Sequence, residues 1–117
     1  MLHPINKRKL RKYKIDFCGE ETTVYLMPMN YSNNGTLAIE MCTFDEELHY
    51  AEPFGHLTKN LCDPRQSATR AFVKTYGENE GWAEELADRI GRKTGHEVRS
   101  GYIAIPLYEF DLERCYE

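Results

Sequence analysis

The sequence lacks the features that would assign it to a membrane or to a known class of enzyme. None of its apolar runs approaches the roughly 18 residues that cross a bilayer. The basic residues near its start are not followed by the apolar segment of a signal peptide. No Gly-x-Ser-x-Gly elbow, phosphate-binding loop or His-Glu-x-x-His motif occurs. The sequence therefore predicts a cytoplasmic, non-catalytic protein with no cofactor and no membrane contact.

The cysteines are widely spaced. The four cysteines include no Cys-x-x-Cys pair, which argues against a zinc ribbon and against a thioredoxin-like redox site. In a reducing cytosol we expect free thiols that serve as small buried side chains. The four positions are Cys18, Cys42, Cys62 and Cys115.

Two histidines lie between the middle cysteines and suggest a zinc site with two nitrogens and two sulfurs. Neighbouring members of this set are six or seven positions apart. Structural zinc sites usually bring their ligands in closer pairs, so no metal site is predicted. A catalytic Cys–His pair such as Cys42 with His96 stays open, because such partners meet in space rather than in sequence. The zinc set considered is Cys42, His49, His56 and Cys62.

Charge is distributed unevenly along the chain. Residues 1–14 carry six basic and no acidic side chains, whereas the remaining 103 residues carry 9 basic and 19 acidic ones. A basic cluster attracts phosphate backbones through counterion release, and Tyr13 beside it could stack on a base. The alternative is a basic segment that is merely solvated. The candidate nucleic-acid contacts are Lys7, Arg8, Lys9, Arg11, Lys12 and Lys14.

The rest of the chain is acidic. A negative surface keeps a protein in solution, and it can also bind a basic partner or imitate the phosphates of DNA. The sequence leaves these three roles open. The acidic residues concerned are Glu20, Glu21, Asp45, Glu46, Glu47, Glu78, Glu80, Glu84, Glu85 and Asp88.

The first half of the chain has the pattern of a β-sheet. Residues 13–18 alternate between apolar and polar side chains, and residues 22–31 are rich in β-branched and aromatic types. Both segments are predicted to be strands, joined by a turn over residues 19–21. Pro28 cannot donate to a ladder, so the second strand is expected at a sheet edge or interrupted at that residue.

A hairpin signal follows these two strands. Asn34-Gly35 supplies the positive φ angles of a tight turn and leads into a third strand over residues 36–43, with its odd-numbered residues facing inward. The acidic residues 45–47 are predicted to form a loop. A less regular fourth strand is predicted over residues 54–61.

The pattern becomes helical after residue 62. Asp63, Pro64 and Gln66 match a helix start with a capping box, so a helix is predicted from Asp63 to about Tyr76. A second helix is predicted over residues 79–90, where apolar residues recur at the helical period.

A final strand is predicted over residues 98–105, and Pro106 is expected to terminate it. The order of elements predicts an α+β fold: an antiparallel sheet of four to five strands with two helices packed on one face. The predicted organisation is a basic and potentially flexible N-terminal arm over residues 1–11, followed by a single α+β domain over residues 12–117.

Several segments occur together in an order that is typical of one family. They are Tyr31-Ser32-Asn33-Asn34-Gly35-Thr36-Leu37-Ala38-Ile39, Ala71-Phe72-Val73-Lys74, Tyr76, Glu78-Asn79-Glu80-Gly81, Ser100-Gly101-Tyr102 and Pro106-Leu107-Tyr108-Glu109-Phe110. Over roughly residues 25–112 the chain resembles domain of unknown function 4313, a family of small bacterial proteins carried largely on conjugative transposons. The resemblance implies a cytoplasmic accessory protein of a mobile genetic element, and it carries over no catalytic residues.

Three functions follow as hypotheses. The leading one is a non-catalytic module that binds another protein through its sheet or a sheet edge near Pro28 or Pro106. The alternative is a role in nucleic-acid transactions, either by direct binding through the basic arm or by DNA mimicry, as in anti-restriction proteins. An enzyme with a Cys–His pair would require a thiol with a depressed pKa.

Overall fold

The first half of the chain forms a four-stranded antiparallel sheet whose strands pair in chain order. The computed structural model describes residues 1–117. The turn between the first two strands consists of Cys18 and Gly19, which both have positive φ angles of 54° and 83°, so it starts one residue earlier than predicted. The strands are β1 (Lys12–Phe17), β2 (Glu20–Asn30), β3 (Leu37–Asp45) and β4 (Tyr50–His56).

The hairpin predicted at Asn34-Gly35 is confirmed between β2 and β3. Gly35 has a φ of 71°, and its N–H donates to the carbonyl of Tyr31 at 2.8 Å. The Oδ1 atom of Asn34 accepts a hydrogen bond from the N–H of Thr36 at 3.1 Å. The side chain and the glycine together close the turn, because an Asn side chain can replace a backbone partner in a tight loop.

Pro28 interrupts strand pairing on one side only. β1 pairs with β2 no further than Tyr25, whereas β3 pairs with β2 past Pro28 to Asn30. The carbonyl of Pro28 accepts a hydrogen bond from Nε2 of His3 at 2.7 Å. The N and O atoms of a strand residue point to the same side, so the missing donor of Pro28 falls where β1 has ended.

The second half of the chain forms another four-stranded antiparallel sheet. Gly101 and Tyr102 connect its two long strands, and Gly101 has a φ of 63°, as a type II′ turn requires at its first central position. The single strand predicted over residues 98–105 is therefore wrong, and Pro106 lies within a strand rather than ending one. The strands are β5 (Thr58–Lys59), β6 (Arg70–Val73), β7 (Gly91–Ser100) and β8 (Ile103–Phe110), in the order β5-β6-β8-β7.

The first predicted helix does not form. The Oε1 atom of Gln66 accepts from the N–H of Asp63 at 3.2 Å, so the helix-start chemistry is present but closes a single turn. The chain then extends into β6, where Phe72 packs beside Leu107 while its neighbours 71 and 73 pack on the opposite face. Successive side chains can be buried on opposite faces only if the backbone is extended. The pairing of β6 with the distant strand β8 therefore outweighs the local helix-start pattern at residues 63–66.

The second predicted helix forms over a shorter range, α1 (Ala83–Ile90), preceded by a 3₁₀ turn over Gly77–Asn79. The predicted apolar stripe of α1 is buried against both sheets. A second 3₁₀ turn spans Leu112–Cys115. The fold is thus α+β with antiparallel pairing, but with two sheets and one α-helix instead of one sheet and two helices. None of the helices has the length and apolar character needed to cross a membrane.

One core lies between the inner faces of the sheets and α1. Trp82, which precedes α1, meets Phe54 and Phe17 of the first sheet with ring centroids 5.8 and 6.2 Å away. The sheets are also joined by the backbone, because the N–H of Leu57 donates to the carbonyl of Ile39 at 3.0 Å. A smaller cluster around Phe72 fills the outer face of the second sheet.

Candidate functional site

The predicted nucleic-acid contacts do not form a free basic surface. Lys7 donates to the carbonyl of Pro4, and Arg11 forms no ion pair. The other four form ion pairs: Arg8–Glu113 at 2.7 Å, Lys9–Glu117 at 3.1 Å, Lys12–Glu46 at 3.0 Å and Lys14–Glu21 at 3.3 Å. All four pairs are exposed, so a phosphate could compete for these side chains. Nucleic-acid binding by them stays a prediction.

The zinc set considered from the sequence is dispersed. No group of three or more His, Cys, Asp or Glu side chains lies close enough to hold a metal ion. Cys42 is buried in β3, where its Sγ atom lies 3.4 Å from Sδ of Met1. Cys62 is exposed in a loop and accepts a weak hydrogen bond from the amide of Asn33 at 3.6 Å.

A reactive thiol is not present among the buried cysteines. Burial raises the pKa of Cys42, and burial raises the pKa of Cys115 to about 12. A nucleophilic cysteine requires the opposite shift. His96 is exposed on β7 in the second sheet, whereas Cys42 belongs to the first, so the pair considered from the sequence is split between the sheets.

The predicted docking edges are local ones. Pro28 lies on β2 and Pro106 on β8, which both run between two neighbouring strands. At each proline one of the two neighbours has ended, because β1 pairs no further than Tyr25 and β6 no further than Leu107. The outermost strands are β1 and β4 in the first sheet and β7 and the two-residue β5 in the second. β7 carries charged side chains along its free edge, including Lys93 and Arg99, as natural edges that avoid pairing commonly do.

The largest groove is a charged one between the end of α1 and β8. It measures about 620 Å³, and Phe110 is its one apolar side chain. Three of its five charged members already have ion-pair partners, because Glu109 pairs with Arg70 at 2.7 Å and Arg114 pairs with Asp111, another member, at 3.4 Å. A binding site normally combines apolar walls with a few free polar groups. The walls of this groove are instead mostly charged, with a single apolar side chain.

The most unbalanced part of the surface is acidic and belongs to the first sheet. Residues 15–58 contain eight acidic and no basic side chains. Two of the eight, Glu21 and Glu46, are ion-paired, in both cases with a lysine of β1. The six that form no ion pair are Asp16, Glu20, Glu40, Asp45, Glu47 and Glu52. Four of these six lie on the hairpin of β3 and β4 or in its loop.

Two large apolar side chains project from the same hairpin. Leu48 is 76% exposed and Tyr50 is 56% exposed. The loop between the strands is held by Asp45, whose Oδ1 atom accepts hydrogen bonds from the N–H groups of Glu47 at 2.9 Å and Leu48 at 3.1 Å. The exposure of Leu48 is therefore a consequence of a defined turn.

Two neighbouring depressions on this hairpin share Glu52. The outer one, of about 480 Å³, has Phe44, Leu48 and Tyr50 as its apolar walls. The inner one, of about 160 Å³, is mainly apolar and reaches Cys42. We refer to the lining of both as the hairpin surface, whose principal members are Met27, Glu40, Phe44, Asp45, Leu48, Tyr50 and Glu52.

Sequence analysis missed this surface, although a signal for it exists. From the sequence, residues 45–47 are predicted to form one acidic loop among several, and neither Leu48 nor Tyr50 is predicted to be a functional residue. The signal is the absence of any basic residue between Lys14 and Lys59, with exposed apolar side chains among the acids. Their exposure becomes visible only when the hairpin is folded.

Comparisons with known proteins place the chain in a family. No curated protein and no solved structure matches it. A family model described as Domain of unknown function (DUF4313) matches residues 25–117, a span that begins within β2, runs to the last residue and leaves out β1 and the basic residues before it. The resemblance seen in the sequence is thereby confirmed, and the chain belongs to the DUF4313 family.

Proposed function

We propose that this protein is a non-catalytic module that binds a basic surface of another protein through the hairpin surface. The observation that carries the proposal is the set of four acids without an ion pair on the same hairpin as exposed Leu48 and Tyr50. Large apolar and aromatic side chains supply most of the energy of protein interfaces. Unpaired charges around them speed association and reject partners of the wrong sign.

The composition of the hairpin surface supports a basic partner. Its acids repel one another when the protein is alone, and lysine or arginine side chains of a partner would relieve that repulsion. The proposed cellular setting is that of a cytoplasmic accessory protein of a mobile genetic element. That setting is suggested by the family resemblance.

The same acidic stretch supports a nucleic-acid-related alternative in which the partner is a DNA-binding enzyme. The acids of residues 15–58 would then occupy the surface that normally contacts phosphates. Such a mimic binds no nucleic acid and competes with DNA for the enzyme. Direct binding through the basic segment has the opposite signature, because affinity for DNA would fall steeply with salt. It would also be lost in the variant Lys7→Gln/Arg8→Gln/Lys9→Gln.

A capture experiment with the full chain tests the proposal. Tagged protein is compared with the variant Leu48→Ser/Tyr50→Ser and with Asp45→Asn/Glu52→Gln, in which the asparagine keeps the oxygen that closes the loop. We expect a stoichiometric partner on the unaltered protein and about tenfold less of it on each variant. Both variants should remain within about 0.5 kcal/mol of the original stability, since the altered residues lie on the surface.

A matched control removes similar groups from the second sheet and the loop before α1. Tyr102 is fully exposed in the turn between β7 and β8, and Glu80 is an exposed acid without an ion pair. The variant Glu80→Gln/Tyr102→Ser should retain the partner. Retention by the hairpin variants together with loss by this control would refute the hairpin surface as the binding site.

A further inference from the structure

Residues 1–9, which we call the N-terminal segment, form a closed loop with hydrogen bonds of their own. The N–H of His3 donates to the carbonyl of Arg8 at 2.8 Å, and the N–H of Lys7 donates to the carbonyl of His3 at 3.1 Å. The N–H of Leu10 donates to the carbonyl of Met1 at 2.9 Å. Leu10 is fully buried, so the loop is anchored to the core directly after its last residue.

The loop contacts the first sheet at two points. The side chain of Met1 covers Cys42, which is only 2% exposed. The imidazole of His3 donates from Nε2 to the carbonyl of Pro28, on the part of β2 that β1 leaves unpaired. Nδ1 of the same ring accepts from the N–H groups of Ile5 and Asn6 at 3.1 and 3.2 Å, so the ring links the loop to the sheet.

These contacts place the loop beside the hairpin surface. Cys42, under Met1, also lines the inner depression. The lysine that follows the loop, Lys12, pairs with Glu46 at the tip of the same hairpin, and the two groups shift each other's pKa toward the charged forms. The apolar end of the loop thus lies on the first sheet, and its basic side chains Arg8 and Lys9 pair with the C-terminal acids Glu113 and Glu117, so acidic groups lie on both sides of the loop.

The remaining contacts of the loop are with the C-terminal residues. The side-chain amide of Asn6 donates to the hydroxyl of buried Tyr116 at 2.8 Å, and the guanidinium of Arg8 lies 4.0 Å from the centre of the same ring. The ion pairs of Arg8 and Lys9 are at the surface, where water competes with them.

The apolar side chains Leu2 and Ile5 are 55% and 71% exposed and add little to the attachment. Opening of the loop as far as Leu10 would break the contacts with Tyr116 and with the first sheet while both sheets stay paired, and short segments of this kind open without global unfolding.

We infer that the N-terminal segment is an internal ligand of the first sheet, which a basic partner segment with an apolar end displaces when it binds. The site next to the hairpin surface is then a docking surface that is covered in the free protein. The basic character of the partner rests on the proposed function. That the N-terminal segment covers part of the first sheet rests only on its contacts with Cys42 and Pro28.

The test measures access to Cys42 in the full chain. Native protein is treated with N-ethylmaleimide, and the modification rate of each cysteine is followed by peptide mass spectrometry. The variant His3→Ala removes the link to Pro28 together with the two hydrogen bonds that Nδ1 accepts, and it should raise the rate at Cys42 about tenfold. Cys115 precedes Tyr116, against which the His3 ring packs, so exposed Cys18 serves as the reference and urea denaturation of the variant as the control for global stability.

Two results would overturn the inference. A loss of global stability in urea large enough to produce the rise at Cys42 would mean general destabilisation, and an unchanged rate at Cys42 would mean that the segment is not a cover. The variant His3→Gln separates a specific link from loss of bulk, because its amide can donate to the carbonyl of Pro28. It should bring the rate at Cys42 back toward that of the unaltered protein.

Addition of the segment as a free peptide tests the chemistry of the occupant. A synthetic peptide of residues 1–11, MLHPINKRKLR, should slow modification of Cys42 in the His3→Ala variant, and a scrambled peptide should not. Equal protection by both peptides would contradict the requirement for an apolar end. A doubled mass of the variant in light scattering would assign the docking surface to a second copy of the chain instead. Neither result depends on whether the hairpin variants lose their partner.

Discussion

The two halves of the molecule use their acidic side chains differently. Of the eight acids in residues 15–58, two are ion-paired, whereas nine of the eleven acids in residues 59–117 are. Seven of those nine pair within residues 59–117, and two, Glu113 and Glu117, pair with Arg8 and Lys9. Most of the acids of the second half are thus neutralised, whereas most of those in the first half are left exposed to solvent. This imbalance is the reason we propose that the first sheet is the one that meets a partner.

Packing differs between the halves in the same way. The outer face of the second sheet is filled by Phe72, Ile105 and Leu107, and the guanidinium of Arg65 lies 5.7 Å from the centre of the Phe72 ring. The first sheet is covered on its outer side in part by the N-terminal segment, and its hairpin projects Leu48 into solvent. We call the well-packed second sheet the framework, and the first sheet, which carries the proposed binding site, the display surface.

The largest expected effect is on the framework. Phe72→Ala should lower the free energy of unfolding by about 3–5 kcal/mol, because a fully buried ring is removed and a cavity remains. Urea denaturation measures this change. The control Leu48→Ala on the display surface should stay within about 0.5 kcal/mol. A larger loss of unfolding free energy in Leu48→Ala than in Phe72→Ala would contradict the assignment of the second sheet as the more tightly packed one.

Gly91, where α1 passes directly into β7, tests how tightly the framework is packed. An added Cβ would lie 2.6 Å from the carbonyl oxygen of Glu109 and 2.9 Å from Cδ1 of Phe110. Since the φ of −169° is ordinary extended backbone, the cost is steric. We expect Gly91→Ala to destabilise the protein by about 1–3 kcal/mol in urea. Ser100→Ala, exposed on the same strand, should change little, and equal stability of the two variants would disprove the close contact.

Tyr108 makes the stability of the framework depend on pH in the alkaline range. Its hydroxyl donates to Asp88 at 2.6 Å; burial raises the pKa of Tyr108, and the bond to the Asp88 carboxylate raises it further. The folded state thus favours the neutral phenol, so its contribution is complete below the unfolded pKa of about 10 and is lost as pH rises above it.

Tyr108→Phe should therefore cost about 1 kcal/mol at pH 7 and reduce the loss of stability between pH 9 and about pH 11. Urea titrations across this range measure both effects. Asp88→Asn keeps an acceptor without the charge and should give an intermediate slope. An unchanged alkaline slope in the phenylalanine variant would show that Tyr108 is not the group responsible.

The smallest effect concerns an exposed pair in the loop that covers the framework. Hydrogen bonds from the side chain and backbone of Arg65 lower the pKa of Asp63 to about 2. The contribution of this carboxylate is present above the ordinary pKa near 4 and is lost as pH falls toward 2. In Arg65→Ala, carbon-detected NMR should find the Asp63 midpoint moved up toward 4. The control Lys59→Ala should leave the midpoint in place, and a midpoint near 4 in the unaltered protein would contradict the pairing.

Local patterns in the sequence predict local structure well. Asn34-Gly35 predicts the hairpin because the positive φ of Gly35 is a property of a single residue, although Asn34 has no positive φ and the loop spans residues 31–36. The stripe from Ala83 to Ile90 predicts α1 because its period is a property of one segment. The helix predicted from Asp63 to Tyr76 is wrong because its signal extends over a single turn, while the fate of β6 depends on β8, more than thirty residues away.

At the candidate site, too, some features follow from local sequence and others from pairing between distant parts of the chain. The acid-only composition of residues 15–58 is fixed by the sequence, and so is the excess of basic side chains in residues 1–14. Which acids find a lysine, and which apolar side chains stay exposed, follows from pairing between distant parts of the chain. Lys12 meets Glu46 because strands β1 to β3 bring them together across 34 positions.

The sequence by itself determined the turns, the helical stripe, the uneven charge and the membership of the DUF4313 family, since each depends on residue types over a short span or in a fixed order. Tertiary structure alone decided that there are two sheets, that Pro28 and Pro106 lie on inner strands, and that the N-terminal segment covers Cys42. These outcomes depend on which distant backbones and side chains exclude water together, and burial of that kind is a property of the whole folded chain.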